Sequence, residues 1–563
     1  MTTLRADVCI VGSGAGGAPV AQVLTQSGLD VLVLERGRSV SRADFAVADE
    51  TRNALSDGVW KSPEASEPYF QADTGTAPLT PSNGLRMPQV LGGSTNFWGG
   101  YASRLRPVDF ELVSRYGAIA GSSACDWPIK YADLAPYYAR AERELGVGGA
   151  PDPTRPAEDS AELGAGLLLH PLANLLGAAC RKDGLHPFQS HQAILQNARP
   201  DRDACRHSGW CASYGCPTGA KGSAREVMLA AAAKTGKCRI ETDLRVVKLF
   251  CDERDPRRIM ACEALRGTGT ERVRIEAKCF VLACRPVETA RLLLCSAQAG
   301  HANGLANASD QVGRHLMNGM EVHGRAYFIR KNHPEMGAAL DSEAPFCSVT
   351  VPDYYEHLEL KDKAAFSKGG TLSFYRAGHS AFELARGVLH ERVEPGSDLG
   401  SLFLGTALRE RLQNYLRDAC ALDFECAVEF LPQESNRVTL HPSAVDDLGV
   451  PCPVLRQGFH PASVACAKAL GEQGLRIFKL LGADHVQLSN PFANVVLSYG
   501  TCRFGTDPAR SVLDPNCRAH DLLNLYVTDG SFMPTSGGTM GTLTIFANAY
   551  RVAEKIRAAF PLL

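Results

Sequence analysis

The first 37 residues place two apolar runs on either side of a glycine-rich turn. The segment "ADVCIVGSGAGGAPVAQVLTQSGLDVLVLERG" (6–37) predicts a buried strand, a turn, a helix and a second strand that ends at Glu35. Apolar strands alternate with helices in the same way through 1–110 and 220–315, whereas 320–490 contains alternating strand-like runs such as "DFECAVEFLP". The pattern therefore predicts an α/β protein, in which a domain of βαβ units is joined to a second, sheet-rich domain.

Three glycines in this turn fit the pattern G-x-G-x-x-G. Gly12 permits the tight turn, Gly14 lets a pyrophosphate approach the backbone, and Gly17 lets helix and strand pack closely. The helix N-terminus then faces the phosphates, and Glu35 is placed to accept hydrogen bonds from an adenosine ribose. Because the whole strand–turn–helix–strand–Glu unit is present, it favours a Rossmann-like dinucleotide site over a structural turn without nucleotide.

Composition and charge exclude several classes of protein. The 563 residues are 45% hydrophobic and 21% charged, as in an ordinary globular protein, and the length favours two joined domains over one core. Lys and Arg (59) nearly balance Asp and Glu (61), which argues against a nucleic-acid or anionic-membrane partner. No run approaches the roughly 18–20 apolar residues of a membrane span. The 19 cysteines are scattered singly, as reduced thiols are, so we expect a cytoplasmic protein. We also expect its partner to be a small-molecule substrate.

Two longer stretches resemble one known family. "LRMPQVLGGSTNFWGGY" (85–101) and the block that runs from "GTCRFG" to "TLTIFANAYRVAEKI" (500–556) are similar to the glucose-methanol-choline (GMC) family of FAD oxidoreductases. Shorter stretches between them, 310–319 and 436–443, resemble the same family. The resemblance therefore covers nearly the whole chain.

The resemblance implies a fold of two domains. The Rossmann-like FAD-binding domain would be assembled from 1–110, 220–319 and 491–563. Residues 320–490 would form a substrate-binding domain with an antiparallel sheet above the flavin. Residues 111–219 would supply connecting and cap segments with a cysteine-rich loop.

The family pattern also implies where FAD is held. Besides the N-terminal turn and Glu35, the matching positions are Gly92, Gly93, Ser94, Asn96, Asp529, Gly530 and Thr542. A helix that begins near Thr542 would direct its amide donors at the flavin pyrimidine, where negative charge develops on reduction. Some relatives bond FAD covalently through a histidine, but Phe97 occupies the matching position, so the FAD should be noncovalent. Arg285-Pro286 is a further departure, since the family usually has a small residue and a glycine there.

A cysteine-rich segment, "CRHSGWCASYGCPTGAK", carries Cys205, Cys211 and Cys216 in a C-x5-C-x4-C-P arrangement. Thiolates at such intervals suit iron, and a few relatives hold a three-iron (3Fe–4S) cluster with similar spacing. The fourth cysteine of an ordinary four-cysteine site is missing, and many relatives have similar cysteines with no recognised cluster. We therefore favour a packed, reduced loop without metal, and the 3Fe–4S cluster is the alternative.

The resemblance places a catalytic pair where this chain has apolar residues. Relatives that oxidise alcohols usually have a histidine three residues before Gly500 and a second His or Asn before the "TLTI" run, and the pair flanks flavin N5. The corresponding residues here are Leu497 and Met540, with Tyr499 beside the first. Neither Leu nor Met can accept a proton, so the usual pair is absent.

Three interpretations follow from this absence. A hydroxyl group can still be oxidised if the base comes from elsewhere, the candidates being Tyr499, Ser498, His460 and His485. Alternatively, a carboxylate leaves as CO₂ while an adjacent C–H gives a hydride to the flavin, which needs no base and is favoured by an apolar pocket. A non-catalytic flavin-binding protein is the distant third interpretation.

Oxidative decarboxylation of a carboxylic acid is narrowly favoured, since the family includes a decarboxylase of natural-product biosynthesis. The carboxylate would need a cationic anchor, for which the candidates are Arg104, Arg106 and Arg503. The sequence specifies no electron acceptor.

Overall fold

The computed structural model describes most of the chain. The described residues are 2–45, 69–72, 79–82, 87–207, 211–212, 214–267, 269, 271–337, 339, 349–360, 366–375, 405–413 and 419–562. Their strands are β1 (Thr2–Val11), β2 (Val31–Leu34), β3 (Tyr69–Ala72), β4 (Thr80–Ser82), β5 (Phe188–Gln189), β6 (Cys238–Glu241), β7 (Leu244–Cys251), β8 (Ile259–Arg266), β9 (Glu271–Leu282), β10 (Met317–Ile329), β11 (Val349–Val351), β12 (Gly370–Tyr375), β13 (Ala419–Val428), β14 (Arg437–Val445), β15 (Pro451–Arg456), β16 (His485–Leu488), β17 (Phe492–Tyr499) and β18 (Leu525–Val527). Their α-helices are α1 (Ala18–Gln26), α2 (Pro107–Phe110), α3 (Leu112–Tyr116), α4 (Tyr131–Leu145), α5 (Pro171–Lys182), α6 (Ala230–Lys234), α7 (Pro286–Cys295), α8 (Gly405–Gln413), α9 (Pro461–Leu480) and α10 (Thr542–Ala559).

The N-terminal strand lies inside a seven-stranded sheet. β1 pairs in parallel with β2 on one side and with β9 on the other, so that Val8 lies opposite both Val31 and Cys279. The order continues as β6-β2-β1-β9-β8-β7, and β18 pairs in parallel with β9. The apolar run of β1 is fully buried because it has strands on both edges and helices on its faces.

Helices cover this sheet as the periodic pattern predicts. α1 follows β1 after the glycine turn, and eight of its nine residues are buried. It packs against α10, which in turn packs against α4. The first strand, the turn and the last long helix of the chain therefore share one core.

The second sheet is antiparallel and also has seven strands. Its order is β16-β10-β13-β12-β11-β5, and β17 pairs with β10 beside β16. α9 packs on one face of it, close enough that a side chain at Gly474 would come within 2.5 Å of the Phe424 ring. The opposite face is free of this helix and carries the polar side chains of the strands.

A small third sheet joins distant parts of the chain in the order β14-β15-β3-β4. β15 pairs with β3 in parallel, and Val454 lies opposite Phe70. The two strands therefore meet although they are far apart in the sequence. No described helix is long and apolar enough to cross a lipid bilayer.

The predicted fold class is confirmed, because a mixed α/β sheet of Rossmann type is combined with an antiparallel sheet. All seven strands of the first sheet come from the three segments assigned to the nucleotide domain, and β18 belongs to the last of them. β17 lies in that last segment too, yet it completes the second sheet. The proposed domain boundaries stay a prediction.

Candidate active site

The glycine turn after β1 forms one end of a cavity of about 450 Å³. Gly12 has a φ of +102°, and a side chain there would come within 2.3 Å of the Ala283 carbonyl oxygen. A side chain at Gly17 would come within 2.0 Å of the Gly12 carbonyl oxygen. At Gly14 no atom of the described residues lies within 4 Å of the same position, so they leave space beside the turn. The three glycines thus serve the turn, the open cradle and the helix contact in the way the motif requires.

Most of the predicted cofactor and catalytic positions line this one cavity. They are Gly12, Gly14, Glu35, Gly93, Ser94, Leu497, Tyr499, Asp529, Gly530 and Thr542. Four predicted residues lie outside its wall: Gly17, Gly92, Asn96 and Met540. Whether these residues bind the cofactor or take part in catalysis stays a prediction.

The loop that carries Gly92 and Gly93 is held by its own side chains. Asn96 Nδ2 donates to the carbonyl oxygens of Leu91 at 3.0 Å and Gly93 at 2.9 Å. Both glycines have positive φ angles, of +87° and +57°. Asn96 therefore shapes the loop from behind, and Gly93 faces the cavity.

Glu35 is fixed at the end of β2. Its carboxylate accepts hydrogen bonds from the Ser13 amide at 3.2 Å and the Gly37 amide at 2.8 Å, and also from the Ser13 hydroxyl. The Leu244 amide donates to the Glu35 carbonyl oxygen at 3.0 Å, which brings 244–247 to the cavity wall. Sequence reasoning missed this last segment, because only strand pairing places it beside Glu35.

Asp529 is buried and fully engaged. Its carboxylate accepts hydrogen bonds from the amides of Ser531 at 2.8 Å and Arg285 at 3.0 Å, and from the Thr289 hydroxyl at 2.5 Å. Burial raises the pKa of Asp529 above its usual value, although the hydrogen bonds oppose this. Asp529 therefore joins the end of β18 to the start of α7.

Arg285 occupies a backbone conformation that favours glycine. Its φ is +80°, in the left-handed region that a residue with a side chain rarely adopts. Its guanidinium Nη2 donates to the Val495 carbonyl oxygen at 3.1 Å, and its side chain lines the cavity. Arg285, which precedes α7, thus links this helix to β17 through a hydrogen bond.

Tyr499 holds the start of α10. Its hydroxyl oxygen accepts a hydrogen bond from the Gly541 amide at 3.0 Å. The ring is buried, and burial raises the pKa of Tyr499 well above its ordinary value. Tyr499 is therefore a neutral phenol at physiological pH and a poor candidate for a base.

Leu497 and Met540 differ in placement. Register between β10 and β17 shifts after Ser498, so 495–497 bulge out of the ladder and Leu497 lines the cavity. Met540 is partly exposed in the loop before α10 and does not contribute to the cavity wall. The structure thus brings only Leu497 to the cavity.

The other candidate bases are engaged or distant. Ser498 Oγ donates to Asn318 Oδ1 at 3.0 Å and is within 2.8 Å of the Val495 carbonyl oxygen. His460 caps the start of α9 through Nδ1, and its Nε2 is 2.9 Å from the Ala120 carbonyl oxygen. His485 is exposed on β16. Neither histidine lines the cavity.

The three candidate carboxylate anchors bind other groups. Arg104 forms a buried pair with Glu142 at 2.5 Å, and Arg106 pairs with Asp152 at 2.8 Å. Arg503 donates to the carbonyl oxygens of Arg510 and Ser123, both at 2.9 Å. None of the three lines the cavity.

Sequence reasoning missed a group of polar side chains on the second sheet. Glu321, His323 and Glu425 each bring one potential ligand atom within 4.8 Å of the others. The signal was present as period-two alternation in "NGMEVHGRAY" and "DFECAVEF". The pairing of β10 with β13, which brings the two stretches together, is not encoded in either stretch alone.

The cysteine loop surrounds a buried lysine. Lys221 Nζ donates to the carbonyl oxygens of Trp98, Cys211 and Tyr214 at 2.9, 2.7 and 2.6 Å. Burial lowers the pKa of Lys221 to about 8. Cys205 and Cys216 pack at the same small apolar cluster as Cys211. Whether the three thiols bind iron stays a prediction.

Comparison with known proteins identifies the family. Models of the GMC oxidoreductase family match 123–321 and 432–549. The 6'''-hydroxyparomomycin C oxidase of Streptomyces lividus is 31% identical, over 98% of this chain and 91% of that protein. The 2-methyl-1,2-propanediol dehydrogenase of Mycolicibacterium austroafricanum is 28% identical, over 99% of this chain and 96% of that protein. A formate oxidase of Aspergillus oryzae RIB40 has a similar fold, with a TM-score of 0.64 over 99% of each chain at 14% identity. The chain therefore belongs to the GMC oxidoreductase family and is an FAD-dependent oxidoreductase.

Proposed function

We propose that this protein oxidises a hydroxyl group of a small organic molecule to a carbonyl group. The observation that carries the proposal is the engagement of Arg104, Arg106 and Arg503, the three arginines that the sequence offered as anchors for a departing carboxylate. The relatives support the same chemistry, since one is named for a hydroxyparomomycin and another for a propanediol. Hydroxyl oxidation therefore takes precedence over the decarboxylation favoured by the sequence.

The cavity residues suit FAD. Among the described residues, none comes within 4 Å of a side-chain position at Gly14, and the nearest atom to that position at Gly93 is 3.8 Å away. The backbone of both loops is therefore accessible to a pyrophosphate. Glu35 stands at the end of β2, where a ribose is bound in folds of this type. When bound, FAD supplies the two-electron acceptor for a hydride from the substrate carbon.

The chain itself prepares the surroundings of that reaction. The start of α10 carries the positive end of the helix dipole, and the Tyr499 hydroxyl fixes its position through the Gly541 amide. Leu497 excludes water from the part of the cavity wall that it covers. Tyr499 therefore orients the start of α10, and Leu497 keeps water from part of the cavity, but neither side chain accepts a proton.

Noncovalent attachment of the FAD is part of the proposal. Phe97 lines the cavity and packs edge to face on Phe45, with ring centroids 5.7 Å apart. A phenyl ring offers no nucleophile to the flavin. Acid precipitation of the yellow protein should therefore leave the flavin in solution, and flavin retained in the pellet would contradict this part of the proposal.

Oxidative decarboxylation stays the second candidate because Leu497, at the place of the usual histidine, is apolar and lines the cavity. Anaerobic mixing separates the two. We expect 2-methyl-1,2-propanediol or 6'''-hydroxyparomomycin C to bleach the flavin absorption with formation of one carbonyl group per flavin and no CO₂. Bleaching by a carboxylic acid (formate is the simplest probe) with proportional release of CO₂, while every alcohol stays inactive, would reject hydroxyl oxidation.

A further inference from the structure

Arg285 stands at the edge of the first sheet where three parallel strands end together. β1, β9 and β18 end at the same level, because their last residues lie opposite one another in the ladder. Gly14, Arg285 and Gly530 each lie three residues beyond the end of one of these strands. In open α/β sheets a nucleotide cofactor binds outside the carboxyl ends of the strands. Arg285 therefore belongs to the edge of the sheet at which FAD binds.

The backbone around Arg285 contacts the glycine turn. A side chain at Gly12 would come within 2.3 Å of the carbonyl oxygen of Ala283, two residues before Arg285. The Arg285 amide donates to Asp529 Oδ2 at 3.0 Å, and a side chain at Gly16 would come within 2.8 Å of the Asp529 nitrogen. Arg285 is thus joined on both sides to segments that pack against the turn.

The side chain of Arg285 extends from there to the second sheet. Its guanidinium Nη2 donates to the Val495 carbonyl oxygen of β17 at 3.1 Å, and the side chain lines the cavity. Val496 and Leu497, which follow Val495, line the cavity as well. The guanidinium is therefore held at the cavity wall by a strand of the second sheet, while its own backbone belongs to the first.

The other arginines described in the cavity wall are paired with carboxylates. Arg36 pairs with Glu288, Arg245 with Asp446, and Arg291 with both of these acids. The Nη2 of Arg285 donates instead to a carbonyl oxygen, which is an uncharged acceptor. A guanidinium has five N–H donors and can serve several acceptors at once. An anion in the cavity would therefore add a charged acceptor to Arg285 without displacing Val495.

Two carboxylates near the glycine turn make a cation useful there. Glu35 and Asp529 both line the cavity, and each accepts a hydrogen bond from a backbone amide at 2.8 Å. A pyrophosphate brings further negative charge into the same cavity, and like charges repel one another more strongly where water is excluded. The guanidinium of Arg285 opposes this repulsion, because it is always protonated at physiological pH.

Arg285 also adopts a backbone conformation that suits glycine. Its φ of +80° and ψ of 147° form a combination that residues with a side chain rarely adopt. Conformations of this kind are costly and cluster at ligand sites, where the side chain serves the ligand. We expect the arginine to lower the stability of the flavin-free protein relative to a glycine at the same position.

We propose that the Arg285 guanidinium binds the pyrophosphate of FAD. Arg285 is then a cofactor-binding residue, and it adds a charge-assisted hydrogen bond to those that the backbone of the glycine turn offers. Its bond to Val495 links the bound cofactor to the strand that presents Leu497. The inference concerns the cofactor alone, so it is independent of whether the substrate is an alcohol or a carboxylic acid.

The first test measures binding to the flavin-free protein and needs no turnover. Quenching of flavin fluorescence gives the Kd of FAD for wild type, Arg285→Gln, which removes the charge, and Arg285→Lys, which keeps it. Arg285→Gln should weaken FAD binding about 10–100-fold, and Arg285→Lys should lose less. Arg254→Gln is the control, since Arg254 is exposed and lies outside the cavity wall, and its Kd should stay within about twofold of wild type.

Competition against FAD separates the pyrophosphate from the rest of the cofactor. ADP and adenosine share the adenosine group, but only ADP carries a pyrophosphate. In Arg285→Gln the binding of ADP, measured by its displacement of FAD, should fall by the same factor as that of FAD. Displacement by adenosine should be the same as in wild type.

The second test uses Arg285→Gly, which removes the side chain and suits the backbone conformation. Its FAD affinity should fall as in Arg285→Gln, whereas the melting temperature of the flavin-free protein should equal or exceed that of wild type. Affinity and stability would then change in opposite directions, which general damage to the fold does not produce.

Three results would overturn the assignment. One is a Kd of FAD in Arg285→Gln equal to that of wild type. Another is a loss of adenosine binding in Arg285→Gln as large as the loss of ADP binding, which would place the effect away from the pyrophosphate. The third is a melting temperature of flavin-free Arg285→Gly well below that of wild type, which would make the arginine a structural residue.

Discussion

Gly12 and Gly14 are two residues apart in one turn, yet a side chain meets different surroundings at each. At Gly12 it would meet the Ala283 carbonyl oxygen at 2.3 Å, with the backbone at positive φ, so substitution damages the fold. At Gly14 it would extend into the cavity without touching any residue that the structure describes. Substitution at Gly14 therefore separates cofactor binding from stability.

We expect Gly14→Asp to weaken FAD binding by at least about a hundredfold, or ~2.7 kcal/mol, because a side chain and a negative charge would meet the pyrophosphate. The melting temperature of the flavin-free protein should stay close to that of wild type. Gly337→Asp is the control, since that position is also open but lies outside the cavity. Equal flavin affinity in Gly14→Asp and wild type, by fluorescence titration, would place the pyrophosphate elsewhere.

Tyr499 is the second residue with a separable role. In Tyr499→Phe the buried Gly541 amide loses its acceptor, which should lower the free energy of unfolding by about 1–3 kcal/mol. Because burial raises the pKa of Tyr499 beyond the physiological range, the pH profile of flavin reduction should keep its shape. Denaturant unfolding and stopped-flow traces measure the two effects. A dependence of flavin reduction on pH that disappears in Tyr499→Phe would make Tyr499 the base.

Among the elements, three distant ones meet at a buried lysine. Lys368 precedes β12, and its Nζ lies 2.9 Å from Asp109 of α2 and 3.2 Å from Glu429 after β13. Glu429 also accepts hydrogen bonds from the Ser536 and Gly537 amides, in the loop that leads to α10. Lys368 therefore anchors the second sheet to the loop beside the cavity.

Lys368→Met should destabilise the protein by about 3–5 kcal/mol, because it leaves two buried carboxylates without a cation. Adding Glu429→Gln should recover part of the loss, since one uncompensated charge is removed while the amide oxygen still accepts from the loop. Chemical denaturation of the single and double variants gives the coupling. Strict additivity of the two substitutions would show that the ion pair is energetically unimportant.

Hydrogen bonds from Lys221 hold the cysteine loop in place without a metal. The three hydrogen bonds of Lys221 hold the backbone of the loop to the segment at Trp98. We therefore expect far less than one iron per chain in anaerobically purified protein, measured by plasma emission spectrometry. About three irons per chain, lost together in Cys211→Ser, would establish the 3Fe–4S cluster instead.

Across the whole molecule, sequence reasoning succeeded where a structural element depends on one continuous stretch. The turn at Gly12–Gly17 is local, so its spacing sufficed to predict the strand, the turn and the helix. His323 and Glu425 are about a hundred residues apart and meet only through the ladder of β10 and β13. The same limit applies to Arg104, which precedes α2 and whose partner Glu142 lies on α4. Pairing partners of this kind are set by tertiary structure, which no local pattern specifies.

The position of β18 in the first sheet determines when, during synthesis on the ribosome, the protein can bind flavin. On a ribosome that adds about 5–20 residues per second, the glycine turn emerges roughly half a minute to two minutes before Asp529 and α10, which form the far wall of its cavity. We therefore expect the growing chain to retain flavin only after 525–559 have been made. Stalled nascent chains that end before Leu525 should be colourless, and flavin bound to them would show that the earlier segments capture it unaided.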